Sequence, residues 1–207
     1  MKTLFIPTKR KISLDENLLA KISKKLPSNI YLSYSIQFQD VAKRVKEVLE
    51  KDHKITGFSQ ILGCTIPKMQ KGTEAALLVG SGKFHAVSLA YESKLPVFIF
   101  EPNYLEKISE FDVWEFEKKK KGAYAKFLIS NKIGIIISTK PGQEKLSFAL
   151  RSKKSLKNKK PYLFITNEIT PAEFENFSDI ESWVNTSCPR MDMADSRIVN
   201  IKEILRH

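Results

Sequence analysis

Four short segments of this chain carry side chains that could hold a metal or bind an anion: "QILGCT" (60–65), "GSGKFH" (80–85), "TKPGQ" (139–143) and "NTSCPRM" (185–191). The chain has two cysteines, Cys64 and Cys188, in different segments. Nothing in the sequence signals export, so a structural disulfide is a poor explanation, and free thiols or metal ligands remain. A zinc site needs four ligands in local pairs, and no C-x-x-C or H-x-x-x-H spacing is present. Thiolates from distant loops suit the soft iron of an iron–sulfur cluster, where an incompletely ligated iron leaves a position for substrate, although two are too few for that alone. The plain alternative is that each cysteine is a small buried hydrophobe. Residue types by themselves leave both readings open. "GSGKFH" has the look of a phosphate-binding glycine loop but lacks the G-x-x-x-x-G-K-[ST] spacing, which argues against a nucleotide hydrolase.

Each segment follows an apolar run, and the runs alternate with amphipathic stretches. "NIYLSYS" (29–35), "EAALLVG" (74–80), "PVFIF" (96–100), "IGIIIST" (133–139), "PYLFIT" (161–166) and "ESWVNTS" (181–187) read as strands. Between them, "DVAKRVKEVLEKD" (40–52) sets Val41, Val45 and Leu49 at helical spacing, and "FHAVSLAYESK" (84–94) is helical in the same way. Strands separated by helix-length segments predict an α/β fold of two Rossmann-like units, with parallel sheets flanked by helices. The charged helix over 110–132 bridges them, placing a boundary near residue 120 and dividing the chain into units 1–120 and 121–207. Ahead of the first unit, "KTLFIP" reads as a lead-in strand and "DENLLAKISKKL" as a lead-in helix. In such sheets functional groups collect in loops outside the carboxyl ends of the strands, which is where the four segments fall.

The chain has 207 residues, 42% hydrophobic and 28% charged, with a net charge of +12. That is enough apolar material for packed cores. No apolar run approaches the roughly 20 residues that span a bilayer, and the start lacks the apolar core of a secretory signal, so the expectation is a cytoplasmic chain without a membrane segment. The positive charge attracts something anionic: RNA, a ribosome-associated complex or an acidic protein. Two runs, Lys118 to Lys121 and "RSKKSLKNKK" (151–160), stand out. As charge runs they read first as a solvated helix face and a loop, without the interleaved aromatics of a single-strand binding surface, so direct nucleic-acid binding does not follow from charge alone.

In order and spacing, "QILGCT", "GSGKFHAVSLAYESKLPVFIFEP" (80–102), "GIIISTKPGQ" (134–143) and "VNTSCPRMDMAD" (184–195) resemble the second and third domains of the diphthamide synthase family, the 2-(3-amino-3-carboxypropyl)histidine synthases. The resemblance implies three similar α/β domains, each giving one cysteine to a [4Fe-4S] cluster. That cluster cleaves S-adenosylmethionine to a 3-amino-3-carboxypropyl radical, which adds to a histidine of translation elongation factor 2. On this reading Cys64 and Cys188 are the second- and third-domain cluster ligands, expected to approach each other between the units. His85, Lys140, Gln143 and Arg190 become polar contacts to the methionine moiety, Arg190 as a bidentate partner for its carboxylate. The sequence departs from the family pattern at Lys83, where the family usually has arginine, and at Ala194 beside Asp195. The first domain and its cysteine are also missing, since only 28 residues precede "NIYLSYS". The resemblance therefore implies a partner chain carrying the first domain, or a longer homologue. The competing reading is a truncated, non-catalytic paralogue that serves as an accessory or binding subunit for an acidic or RNA-bound partner. A generic RNA-binding α/β domain ranks last, because no RNA-binding fingerprint is present.

Overall fold

The structure, a computed structural model, describes residues 3–62, 65–101, 104–168, 170–193 and 196–205. The chain divides into two compact units, Met1–Trp114 and Glu115–His207. In the first, Asp15 caps α1 (Glu16–Ser23) by accepting from the N–H groups of Asn17 and Leu18. Then follow β1 (Asn29–Tyr34), α2 (Gln39–Leu49), β2 (Lys54–Gln60), β3 (Ala75–Val79), α3 (Lys83–Ser93), β4 (Val97–Glu101) and β5 (Tyr104–Lys107). The strand order is β2-β1-β3-β4-β5, with β5 antiparallel to β4 and the other pairs parallel. β3, "AALLV", is buried at every position, as a central parallel strand covered on both faces must be. Val41, Val45 and Leu49 of α2 and Leu19 and Ile22 of α1 pack with Ile30, Leu32, Leu77 and Val79 in one core. α3 packs along β4 through an apolar stripe that includes Ala86, Val87, Leu89 and Ala90.

The second unit repeats the plan. α4 (Glu110–Ile129) leads into β6 (Lys132–Ser138), α5 (Leu146–Ser155), β7 (Lys160–Thr166), β8 (Ser182–Asn185), β9 (Ile198–Asn200) and α6 (Ile201–Ile204). Its order is β7-β6-β8-β9, all parallel, the same reversal as β2-β1-β3-β4. One face of this sheet packs against α4, α5 and α6 through Phe127, Ala149 and Ile201. On the other face the 3-10 segments Pro171–Phe177 and Pro189–Met193 take the place of a longer helix. Phe174 of the first stacks on Trp183 with ring centroids 4.4 Å apart. Trp183 in turn lies on Gly134, where an added Cβ would come within 2.4 Å of the indole.

Several features differ from the sequence pattern: β2 and β9 are strands that it does not announce, and residues 151–155, read there as loop, are the second half of α5. The described part of "KTLFIP" forms no strand: residues 3–14 carry no regular element, and Leu4, Phe5 and Ile6 are exposed. An extended segment becomes a strand only by pairing its backbone, and among the described residues the backbone tie of this segment is the Arg10 N–H on the Gln37 carbonyl, 2.9 Å. β5 adds an antiparallel edge that strand–helix alternation does not announce. Among the described residues, no helix is long and apolar enough to cross a membrane.

Candidate functional site

Cys188 follows β8 and is a half-buried free thiol. A network of buried uncharged side chains fixes its backbone. Asn185, at the end of β8, donates from Nδ2 to the Cys188 carbonyl at 2.8 Å and to Asn200 Oδ1 at 2.7 Å, while its Oδ1 accepts from the Ser187 N–H at 2.9 Å. Asn200, its register partner at the end of β9, donates to the Pro189 carbonyl at 2.9 Å. Thr186 directs both its N–H and its hydroxyl at the Ile136 carbonyl of β6, at 3.3 and 2.7 Å. The Met191 N–H then bonds the Cys188 carbonyl at 3.2 Å, opening the 3-10 segment that carries Arg190. Asn185 is 1% exposed, so its amide makes its bonds where water scarcely competes.

β6 and β8 are neighbours, and their end loops are bonded together. The Ser138 N–H donates to Ser187 Oγ at 3.0 Å, and Ser138 Oγ accepts from the Lys140 N–H at 3.1 Å. The turn continues with the Gln143 N–H on the Lys140 carbonyl, 3.0 Å, and with Gly142 at φ +78°, a conformation that suits glycine. The structure thus gathers Lys140, Gln143, Cys188 and Arg190 at the switch point where the strand order reverses. Lys140 and Gln143 are half-buried and Arg190 is exposed. Lys140 Nζ lies 3.5 Å from the exposed Glu168 carboxylate, a contact loose enough to exchange for another anion.

In the first unit Cys64 lies outside the described residues. Of the described residues that flank it, Thr65 donates its N–H to the Leu62 carbonyl at 2.9 Å. His85 stands in the first turn of α3, half-buried, its ring edge-on to Phe84 at 5.1 Å. Gly82, at φ +83°, precedes α3 and donates its N–H to Glu101 at 3.2 Å. Lys83 turns to carboxylates of its own unit: its Nζ is 2.6 Å from Glu106 and 3.7 Å from Asp112. The hydrogen bond to Glu106 and the nearby Asp112 charge raise the Lys83 pKa, and that same bond holds Glu106 below the usual carboxylate range. Asp112 is lowered first by the hydroxyl of Ser109 and then by Lys83. The Tyr104 hydroxyl donates to Glu106 at 3.0 Å, which raises its own pKa.

Two sets of residues escape a reading of the sequence. The Asn185–Asn200 pair is signalled only by two buried strands that both end in Val-Asn. The clasp around Lys83 is half-signalled by "SEFD" at the start of α4, where the Asp112 N–H bonds Ser109 Oγ at 3.0 Å in a helix cap; its link back to Lys83 is a long-range contact.

The chain matches the family model described as "Putative diphthamide synthesis protein" over residues 1–200. It is 31% identical to the 2-(3-amino-3-carboxypropyl)histidine synthase of Pyrococcus horikoshii, the match covering 93% of this chain and 60% of that protein. To subunit 1 of the corresponding synthase of Schizosaccharomyces pombe it is 29% identical, over 93% of this chain and 49% of that one. Crystal structures of Dph2 from Pyrococcus horikoshii superimpose at 28% identity with TM-scores of 0.81 and, for the form with a 4Fe-4S cluster, 0.77. They cover 95% and 91% of this chain and 62% and 59% of those chains. The chain therefore spans about half to three fifths of the length of these relatives. With the family model matched from residue 1 to residue 200 and the fold of Dph2 reproduced in both units, this chain belongs to the diphthamide synthesis protein family.

Proposed function

We propose that this chain is a component of diphthamide biosynthesis, an aminocarboxypropyl transferase that acts on a histidine of translation elongation factor 2 with S-adenosylmethionine as donor. The observation that carries the reading is the Cys188 loop: a half-buried thiol whose backbone is pinned by Asn185 and Asn200 at a sheet switch point, beside Lys140 and Arg190. A thiol pinned in this way fits one corner of a soft, thiophilic group. Among the described residues no group of three His, Cys, Asp or Glu could hold a metal by itself, so a cluster here draws ligands from further afield. Cys64 is the second thiolate, and the third belongs to a first-domain unit outside these 207 residues. Units 1–120 and 121–207 then correspond to the second and third domains of the family.

When bound, a [4Fe-4S] cluster supplies the electron that cleaves S-adenosylmethionine. The chain's own residues do the holding. Arg190 presents a planar fork to the donor's carboxylate, and Lys140 exchanges its exposed Glu168 contact for the same charge. Gln143 and His85 supply further polar contacts to the methionine end. The test is anaerobic reconstitution with iron and sulfide, scored by iron per chain, by electron paramagnetic resonance and by transfer to elongation factor 2, with and without a first-domain partner. Iron that depends on both Cys188 and the partner supports the reading. Loading that is unchanged by Cys188→Ser overturns it, and a chain that binds the partner but never iron is an accessory subunit.

A further inference from the structure

The two lysine runs that look alike in sequence differ in the structure. On α4, Lys119, Lys120 and Lys121 pair with Glu115, Glu203 and Glu117 at 3.3, 2.8 and 2.9 Å, so that run is largely neutralised within its own unit. In "RSKKSLKNKK" one lysine serves the fold. Lys159 Nζ donates to the carbonyls of Phe127, Leu128 and Ser130 at 2.8, 3.0 and 2.6 Å, closing the carboxyl end of α4. Arg151, Lys153, Lys154, Lys157 and Lys160 are exposed, and among the described residues none pairs with a carboxylate. Two lysines in the last turn of α5 would satisfy its dipole. The five exposed cations, besides Lys159, exceed that need and repel one another.

We infer that this ridge, the end of α5 with the turn into β7, is a binding surface for the phosphodiester backbone of structured RNA. Protein interfaces are depleted in lysine and built around aromatic, Met and Arg anchors, whereas this run has one arginine and no aromatic residue. Lysine suits phosphate as a point charge, and a run of cations without an aromatic among them favours backbone contact over base reading. The inference is independent of the iron–sulfur reading.

The test is binding of a mixed-sequence 20-base-pair RNA duplex against a polyglutamate peptide of matched charge, across a salt series. If about five phosphates are neutralised, affinity for the duplex falls by about five hundredfold between 50 and 200 mM salt. The K153Q/K154Q/K157Q variant loses at least tenfold in affinity at 50 mM and has a shallower salt slope, whereas K118Q/K119Q/K121Q stays within twofold. Lys154→Glu, a single exposed change, gives the same direction should the triple variant fold poorly. Equal loss in both triple variants, no effect of Lys154→Glu, or tighter binding of polyglutamate than of duplex overturns the proposal.

Discussion

Asn185→Ala tests the idea that paired amides set the position of the thiol. The substitution deletes three hydrogen bonds of 2.7–2.9 Å from a side chain that is 1% exposed, and it strands Asn200 Oδ1 and the Ser187 N–H. At roughly 1 kcal/mol net per bond, the expected loss of stability is about 3 kcal/mol. Urea unfolding followed by the fluorescence of the buried Trp183 measures it. In a Cys64→Ser background, Cys188 should react with a disulfide reagent at least tenfold faster than before, because a loop that opens about 1.4 kcal/mol more easily is open about ten times as often. Asn200→Ala should behave similarly, and the double variant should cost less than the sum of the two, since they share the 2.7 Å bond. A loss under about 0.5 kcal/mol with an unchanged thiol rate, or strict additivity of the pair, would refute the reasoning.

Gly134→Ala should destabilise the second unit by about 1–3 kcal/mol in the same urea assay, because the new methyl meets the ring of Trp183 rather than open space. Lys83→Gln should lower stability slightly near neutral pH. Glu106 and Asp112 are held below their ordinary values, so the wild-type advantage is present above the usual carboxylate range and fades as pH falls through the depressed values; a difference that grows in acid would contradict this sign. The lysine is solvent-exposed, so high salt should shrink the difference as well. Arg190→Ala and Gln143→Ala should weaken S-adenosylmethionine binding to the reconstituted assembly, Arg190→Ala by roughly 1.5–3 kcal/mol, without lowering iron content; unchanged calorimetric affinity removes them from the pocket.

Six of the strands, with α2, α3 and α4, are legible in the sequence because their burial is written in short periods, whereas β2, β9 and α5 go unread. "DVAKRVKEVLEKD" can bury Val41, Val45 and Leu49 only as a helix, and it forms α2. "EAALLVG" has no polar face to give to solvent and forms a fully buried strand. Strand-end placement of Lys140, Gln143 and Cys188 follows from the same periods. What stays hidden depends on partners distant in sequence. "KTLFIP" has the composition of a strand, but composition cannot supply a neighbouring strand to bond it. β5, four residues with both ends exposed, is defined by its register on β4. The hold of Asn200 on the Pro189 carbonyl and the turn of Lys83 toward Glu106 both join residues that no local period relates.

The repeated strand order has a consequence for how the chain could be rebuilt. Counted by strand, Cys64 comes after the second strand of its sheet, whereas Cys188 comes after the third of its own. The scaffold is duplicated and the thiol address is not. A tandem of two second units would carry both thiols after the third strand, so one half cannot replace the other by simple transplantation. Moving the thiol would mean also moving the Val-Asn strand ends that hold it: a cysteine grafted behind β7 would arrive without the amides that fix Cys188.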